Sequence, residues 1–201
     1  MSKRAVIIGA SFNPVHEGHL AVARAAAAEA EIGRVIMLPC GQHAFGKQLA
    51  PKQDRLKMLE LAVKQSDLNL EIDPREILSD QISYTYRTLK NWQRDNPGWQ
   101  PIFILGSENL ASFDKWHEAE QLVSEFEIWV IDRDDLDVGT LIKRWGANMI
   151  EWHPKIELPE ENLHLSSTII RERVKNSQSV TGLVSPKVAQ YIKQHQLYHK
   201  Q

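Results

Sequence analysis

Short apolar runs alternate with helix-forming stretches along almost the whole of this 201-residue chain. The runs are Arg4–Ile8, Arg34–Leu38, Pro101–Leu105, Glu127–Ile131 and Asn148–Trp152, and Leu68–Ile72 alternates as a strand. Arg4–Ile8 is uninterrupted and stops at Gly9, as a central parallel strand does. Arg34–Leu38 is closed by Pro39, and Pro101–Leu105 ends at Gly106. Between the runs, His19–Ala30 is alanine-rich and stops near Gly33, which suits a helix with a glycine end. Pro51–Val63 places Leu56, Leu59 and Val63 on one helical face. Thr85–Asp95, Trp116–Ser124 and Leu136–Trp145 continue the alternation, and Ser167–Lys175 and Ser185–Gln196 form a helical tail. Such a pattern predicts an α/β fold: a doubly wound, Rossmann-like parallel sheet with helices on both faces and a small C-terminal helical segment. One domain over residues 1–201 is expected, since a chain of this length buries roughly 70% of its unfolded surface without a staple.

Composition removes several classes of function. The formal net charge is -2, so bulk electrostatics offers nothing to nucleic acid or to an anionic membrane. No apolar run approaches the roughly 20 residues of a membrane span, and Ala5–Ile8 is too short for a signal-peptide core of about 7–15 residues. Cys40 is the single cysteine and has no internal disulfide partner, which fits a reducing compartment. A cytoplasmic address is the expectation. Self-association is left open.

Chemistry concentrates at strand ends, where doubly wound sheets bind ligands. The first end carries Gly9-Ala10-Ser11-Phe12-Asn13-Pro14-Val15-His16-Glu17-Gly18-His19-Leu20. Gly9 permits a sharp exit from the strand, and Gly18 permits a close backbone approach at the next helix start. Helix starts collect phosphates because their N–H groups are unpaired and the dipole is positive there. His16 and His19 lie three apart and can meet one ligand, donating hydrogen bonds to phosphate oxygens. A His-x-x-His pair can also bind metal, but no third ligand stands nearby in sequence. The irregular stretch Cys40–Ala50, with Gly41, Gly46 and Lys47, suits a loop near a ligand.

The string resembles the Gly-x-Phe-x-Pro-x-His-x-Gly-His signature of the nucleotidyltransferase superfamily with HxGH histidines. A second string, Leu165-Ser166-Ser167-Thr168-Ile169-Ile170-Arg171, is similar to that superfamily's Ile-Ser-Ser-Thr-x-Ile-Arg. Physically, Ser167 and Thr168 suit a helix cap, and Arg171 sits one turn on, so hydroxyls, N–H groups and a guanidinium converge on an anion. Three further stretches narrow the resemblance to the bacterial nicotinate (nicotinamide) mononucleotide adenylyltransferases. They are Ser83-Tyr84-Thr85-Tyr86-Arg87-Thr88-Leu89, the Gly106-Ser107-Glu108-Asn109-Leu110 step with Phe113 and Trp116 after it, and the closing Leu197-Tyr198. Departures are Asn13 and Glu108 where the family has Asp, His43-Ala44-Phe45-Gly46-Lys47 for Pro-Pro-His-Lys, and Arg133-Asp134-Asp135 for Arg-Pro-Gly.

The resemblance implies adenylyl transfer from ATP to nicotinate mononucleotide, giving deamido-NAD and pyrophosphate, with Mg²⁺ accompanying ATP. It implies His16 and His19 as the catalytic pair. Gly9, Ser11, Phe12, Lys47, Gly106, Glu108, Ser167, Thr168 and Arg171 would contact ATP and its phosphates. Tyr84, Thr85, Trp116 and Arg133 would contact the mononucleotide, with Trp116 either stacked on the pyridine ring or packed in a core. His43 is a weaker substrate contact, and His117, His153, His164, His195 and His199 read as solvated. The acid mononucleotide is expected to be preferred to the amide, because N–H groups at Tyr84 and Thr85 would face the ring substituent. The rivals are an amide-preferring enzyme, a sibling transferase with another phosphate acceptor, and a nucleotide sensor without catalysis.

Overall fold

The computed structural model describes residues 3–41, 49–110, 112–131, 150–152 and 165–199, without the side chains of residues 108, 110 and 150–152. Six strands form one sheet: β1 (Lys3–Ala10), β2 (Ile32–Pro39), β3 (Leu70–Ile72), β4 (Trp99–Gly106), β5 (Glu127–Ile131) and β6 (Ile150–Trp152). Their order is β3-β2-β1-β4-β5-β6, and every neighbouring pair is parallel. The order reverses between β1 and β4, which opens a crevice beyond their carboxyl ends.

The helices are α1 (Glu17–Ala28), α2 (Lys52–Gln65), α3 (Thr85–Asp95), the single turn α4 (Ser107–Leu110), α5 (Ala119–Glu125), α6 (Ser167–Lys175) and α7 (Pro186–Gln194). Alternation along β1 divides the core in two. Val6 and Ile8 face α1, α2, α6 and α7 through Leu20, Met58, Leu59, Ile170 and Val188. Ala5 and Ile7 face α3 and α5 through Leu89, Trp92 and Leu122. With both faces covered, successive residues of the central strands must be apolar, which is why β1 and β4 read as continuous runs, whereas β3 at the edge alternates with Glu71 exposed. Each fully buried Leu, Ile or Val contributes about 1.5–3 kcal/mol over its exposed state.

Several boundaries differ from expectation for identifiable reasons. β1 continues through Gly9 to Ala10, so Gly9 is inside the strand and makes no turn. A Cβ on Gly9 would stand 2.8 Å from Phe103 Cε2, so the glycine makes room for that ring instead. The expected Trp116–Ser124 helix is broken: a 3₁₀ turn, Phe113–Lys115, is followed by Trp116, and Glu118 takes φ +59° before α5 begins. The stripe on α2 is Arg55, Met58, Leu59 and Ala62, not Leu56, Leu59 and Val63. The Leu136–Trp145 helix lies outside the described residues.

Candidate active site

The residues between β1 and α1 are the centre of the crevice. Phe12 is fully buried with φ +44°, a left-handed conformation that costs a non-glycine residue about 1–3 kcal/mol. Its ring packs edge-on against His19 at 4.9 Å. A buried Phe12 ring cannot stack on a nucleotide, so any ATP contact of this residue falls to its backbone. His16 caps α1 in an extended conformation and is 3% exposed. Its N–H donates to Nδ1 of His19 at 3.2 Å, and the two rings lie 3.7 Å apart. With Nδ1 accepting, the neutral His19 ring carries its proton on Nε2.

The start of α1 is less open to an anion than expected. The Glu17 N–H donates to the Leu183 carbonyl at 3.0 Å, and the His19 N–H to the His16 carbonyl at 2.9 Å. The start of α6 is more open. Its cap is Ser166, not Ser167 or Thr168: Ser166 Oγ accepts from the Ile169 N–H at 3.3 Å. The N–H groups of Ser167 and Thr168 have no partner among the described residues.

The two strings meet. Ser167 Oγ donates to the Pro14 carbonyl at 2.8 Å, and Arg171 Nη1 donates to the Asn13 carbonyl at 2.9 Å. Arg171 Nη2 also donates to Thr168 Oγ1 at 3.0 Å. Asn13 is itself buried, and its Oδ1 accepts from the Ala50 N–H at 3.1 Å and the Tyr198 hydroxyl at 3.0 Å. Burial pushes the Tyr198 hydroxyl above the ordinary tyrosine range, with Arg171 and Arg55 pulling the other way, so Tyr198 keeps the proton it donates. Three distant segments thus converge on two adjacent residues of one loop, Asn13 and Pro14.

The other half of the crevice starts at α3. Tyr84 is its N-cap and Thr85 its first residue, and neither N–H has a partner among the described residues. Tyr84 lies edge-on to His117 at 4.1 Å, with the Arg87 guanidinium 5.4 Å from its ring. His117, although exposed, is therefore not merely solvated. Its neighbour Trp116 packs against Phe113 at 5.2 Å and Phe103 at 6.3 Å, and its indole N–H has no partner among the described residues. Trp116 is thus a packing residue that stays partly exposed. Thr88 Oγ1 donates to the buried Glu76 carboxylate at 2.6 Å. Desolvation holds the Glu76 carboxyl above the ordinary carboxylate range, although the Thr88 bond pulls it back.

Gly106 ends β4, and Ser11 directly follows β1. Lys47, Arg133, His43, His153 and His164 lie outside the described residues, as does the side chain of Glu108. Sequence reasoning missed Arg55, a residue 1% exposed whose guanidinium hydrogen-bonds, among the described residues, only to carbonyls. A signal existed, since Arg55 occupies the first position of an i, i+3, i+4, i+7 stripe otherwise made of Met58, Leu59 and Ala62.

The cytidylyltransferase-like family model matches residues 7–173. A Synechococcus sp. (strain JA-2-3B'a(2-13)) protein described as a probable nicotinate-nucleotide adenylyltransferase is 34% identical, over 98% of this chain and 97% of its own. One with the same description from Dehalococcoides mccartyi is 32% identical over the full length of both. Among solved structures, a Plasmodium falciparum nicotinic acid mononucleotide adenylyltransferase complexed with NaAD superposes with TM-score 0.82 at 22% identity, over 98% of this chain and 97% of that one. The last likeness is one of fold.

Proposed function

Because the chain belongs to the cytidylyltransferase-like family and, within it, to the nicotinate-nucleotide adenylyltransferases, we propose that it joins ATP to nicotinate mononucleotide, forming deamido-NAD and releasing pyrophosphate. The observation that carries this reading is the contact between the two strings, Arg171 to Asn13 and Ser167 to Pro14. It supports a single site in which the starts of α1 and α6 bracket a polyphosphate.

The 5′-phosphate of the mononucleotide attacks the α-phosphorus of ATP in line. A new P–O bond forms as the bond to the β-phosphate oxygen breaks, and pyrophosphate carries away the electron pair. A phosphate anion is already nucleophilic at neutral pH, so positioning and charge stabilisation do the work. His19 donates from Nε2 to a phosphate oxygen, with the ring held by the His16 N–H. His16, being almost wholly buried, chiefly orients His19. The N–H groups of Ser167 and Thr168, with the Arg171 guanidinium, hold the departing pyrophosphate. Lys47 supplies a further cation. Ser11 contacts the transferring phosphate, and Gly106 and Glu108 border the nucleotide. Mg²⁺ arrives as part of the MgATP substrate, bound mainly by phosphates and waters. Tyr84, Thr85 and Trp116 take the pyridine ring, and Arg133 its charged substituent.

Pyrophosphate release, measured with ATP and each of nicotinate mononucleotide, nicotinamide mononucleotide, phosphopantetheine and glycerol phosphate, tests the reading. Turnover fastest with nicotinate mononucleotide is expected. Turnover confined to a non-pyridine acceptor, or none at all, would overturn it.

A further inference from the structure

Arg55 sits in the first turn of α2, and its guanidinium takes no carboxylate partner among the described residues. Four hydrogen bonds to backbone carbonyls occupy it instead. Nε donates to Ala50 at 3.2 Å, Nη1 to Ser11 at 2.7 Å and to Cys40 at 2.8 Å, and Nη2 to Gly41 at 3.1 Å. A buried cation costs desolvation, and apolar replacements of such groups are often tolerated by the fold, so this placement calls for a reason other than stability.

The position of the four carbonyls supplies one. The last hydrogen bond of the β1–β2 ladder runs from the Cys40 N–H to the Ala10 carbonyl at 2.9 Å. There the ladder ends, and the guanidinium bridges the two stretches beyond it, tying Ser11 to Cys40 and Gly41. Its fourth bond holds Ala50, whose own N–H donates to Asn13 Oδ1. One side chain therefore links the loop leading to His16 and His19 with the residues on either side of 42–48. All four carbonyls lie beyond the carboxyl ends of β1 and β2 or at the entry to α2.

We propose that Arg55 is a positioning residue for adenylyl transfer: it does not touch substrate, but it sets the distance between the β1–α1 loop and the chain flanking residues 42–48. The inference rests on the function proposed above. Misplacement of reacting groups by about 1 Å can lower turnover by about 10²-fold, so the effect belongs in kcat.

Three full-length variants test it, alongside the wild type: Arg55→Met, Arg55→Lys and Met58→Ala. Met58 is a fully buried apolar residue of the same helix and controls for lost stability. Tm is measured for each, then kcat and KM for ATP and nicotinate mononucleotide well below the lowest Tm. Arg55→Met should lose about 30-fold or more in kcat, on the scale of a misplaced group, with both KM values within about threefold. Arg55→Lys should be intermediate, because one ammonium can keep the Ser11 and Cys40 bonds but not those to Ala50 and Gly41. Met58→Ala should lower Tm and leave kcat near wild type. A folded Arg55→Met with wild-type kcat would overturn the inference, and so would a kcat that merely follows Tm across all three variants. If Arg55→Met does not fold, Arg55→Lys decides by the same criterion. A wild type without turnover on nicotinate mononucleotide would instead remove the functional reading itself.

Discussion

At the scale of single residues, the His19 ring owes its usefulness to a backbone donor. The His16 N–H fixes Nδ1 as acceptor, so Nε2–H is the group that can reach a phosphate. His19→Ala should therefore leave the fold and Tm nearly unchanged and lower kcat by about 10²-fold, the loss typical of one oxyanion-type donor. Steady-state pyrophosphate release checks it; near-normal turnover would remove His19 from the site. Glu76 makes a prediction of the opposite kind, in stability rather than rate. Its carboxyl is held above the ordinary range by burial, first, and by Asp73, against the pull of Thr88 and Arg75. The folded chain thus binds this proton more readily than the unfolded chain. The stability it contributes is complete below the unfolded carboxyl's pKa and is lost as pH rises through the elevated folded value. Glu76→Gln, which can still accept from Thr88 but cannot ionise, should therefore gain in Tm relative to wild type as pH rises from about 4 to about 8. Parallel Tm curves for the two proteins would contradict this.

At the scale of elements, two glycines set how closely strands and loops approach. A Cβ on Gly41 would lie 2.2 Å from the Glu76 carbonyl oxygen, where backbone meets backbone, whereas a Cβ on Gly9 would meet only the edge of the Phe103 ring. Rings can shift more cheaply than main chain. Gly41→Ala should hence destabilise more than Gly9→Ala, for which overpacking predicts about 1–3 kcal/mol. Gly41→Ala should also raise the KM for the mononucleotide, because Glu76 leads through Thr88 into α3 and Tyr84. Denaturant melts and initial rates of the pair test the ranking. Arg171 likewise joins elements, α6 to the β1–α1 loop. Arg171→Ala should cost about 0.5–3 kcal/mol through the bereaved Asn13 carbonyl, and should weaken ATP and pyrophosphate more than the mononucleotide. Calorimetric titration of each ligand distinguishes this from an effect on the mononucleotide alone.

At the scale of the whole molecule, the site is a seam between two helical layers. In the proposed reading the phosphate half belongs to α1, α2 and α6, packed on one face of the sheet, and the ring half to α3 and the Phe113–Trp116 turn on the other. The open N–H groups of Tyr84 and Thr85 at the start of α3 favour an anionic ring substituent. A carboxylate accepts from both, whereas a carboxamide turns an NH₂ toward one and leaves a donor unpaired, at roughly 1–3 kcal/mol. The kcat/KM for nicotinate mononucleotide should exceed that for nicotinamide mononucleotide by about tenfold or more. Equal values would show that the ring pocket is built from other groups.

Much of this was legible in the chain itself, because local pattern determines local structure. Short apolar runs, most of them continuous, between amphipathic stretches leave a parallel sheet covered on both faces as the stable arrangement. α3, β5 and α6 begin and end where the sequence places them. The strings around His16, Ser167 and Tyr84 also announced their positions at strand ends and helix starts. Tertiary structure decided what depends on neighbours far along the chain. Gly9 is no turn, because Phe103 fills the space its side chain would need. Trp116 follows a 3₁₀ turn rather than opening a helix, because packing on Phe113 and Phe103 overrides local propensity. Arg55 is buried because four carbonyls from three separate stretches reach it, a convergence that no local window contains. Period and propensity act over a few residues and can be read in order, whereas a hydrogen bond between Arg171 and Asn13, 158 positions apart, exists only once the chain has closed the sheet between them.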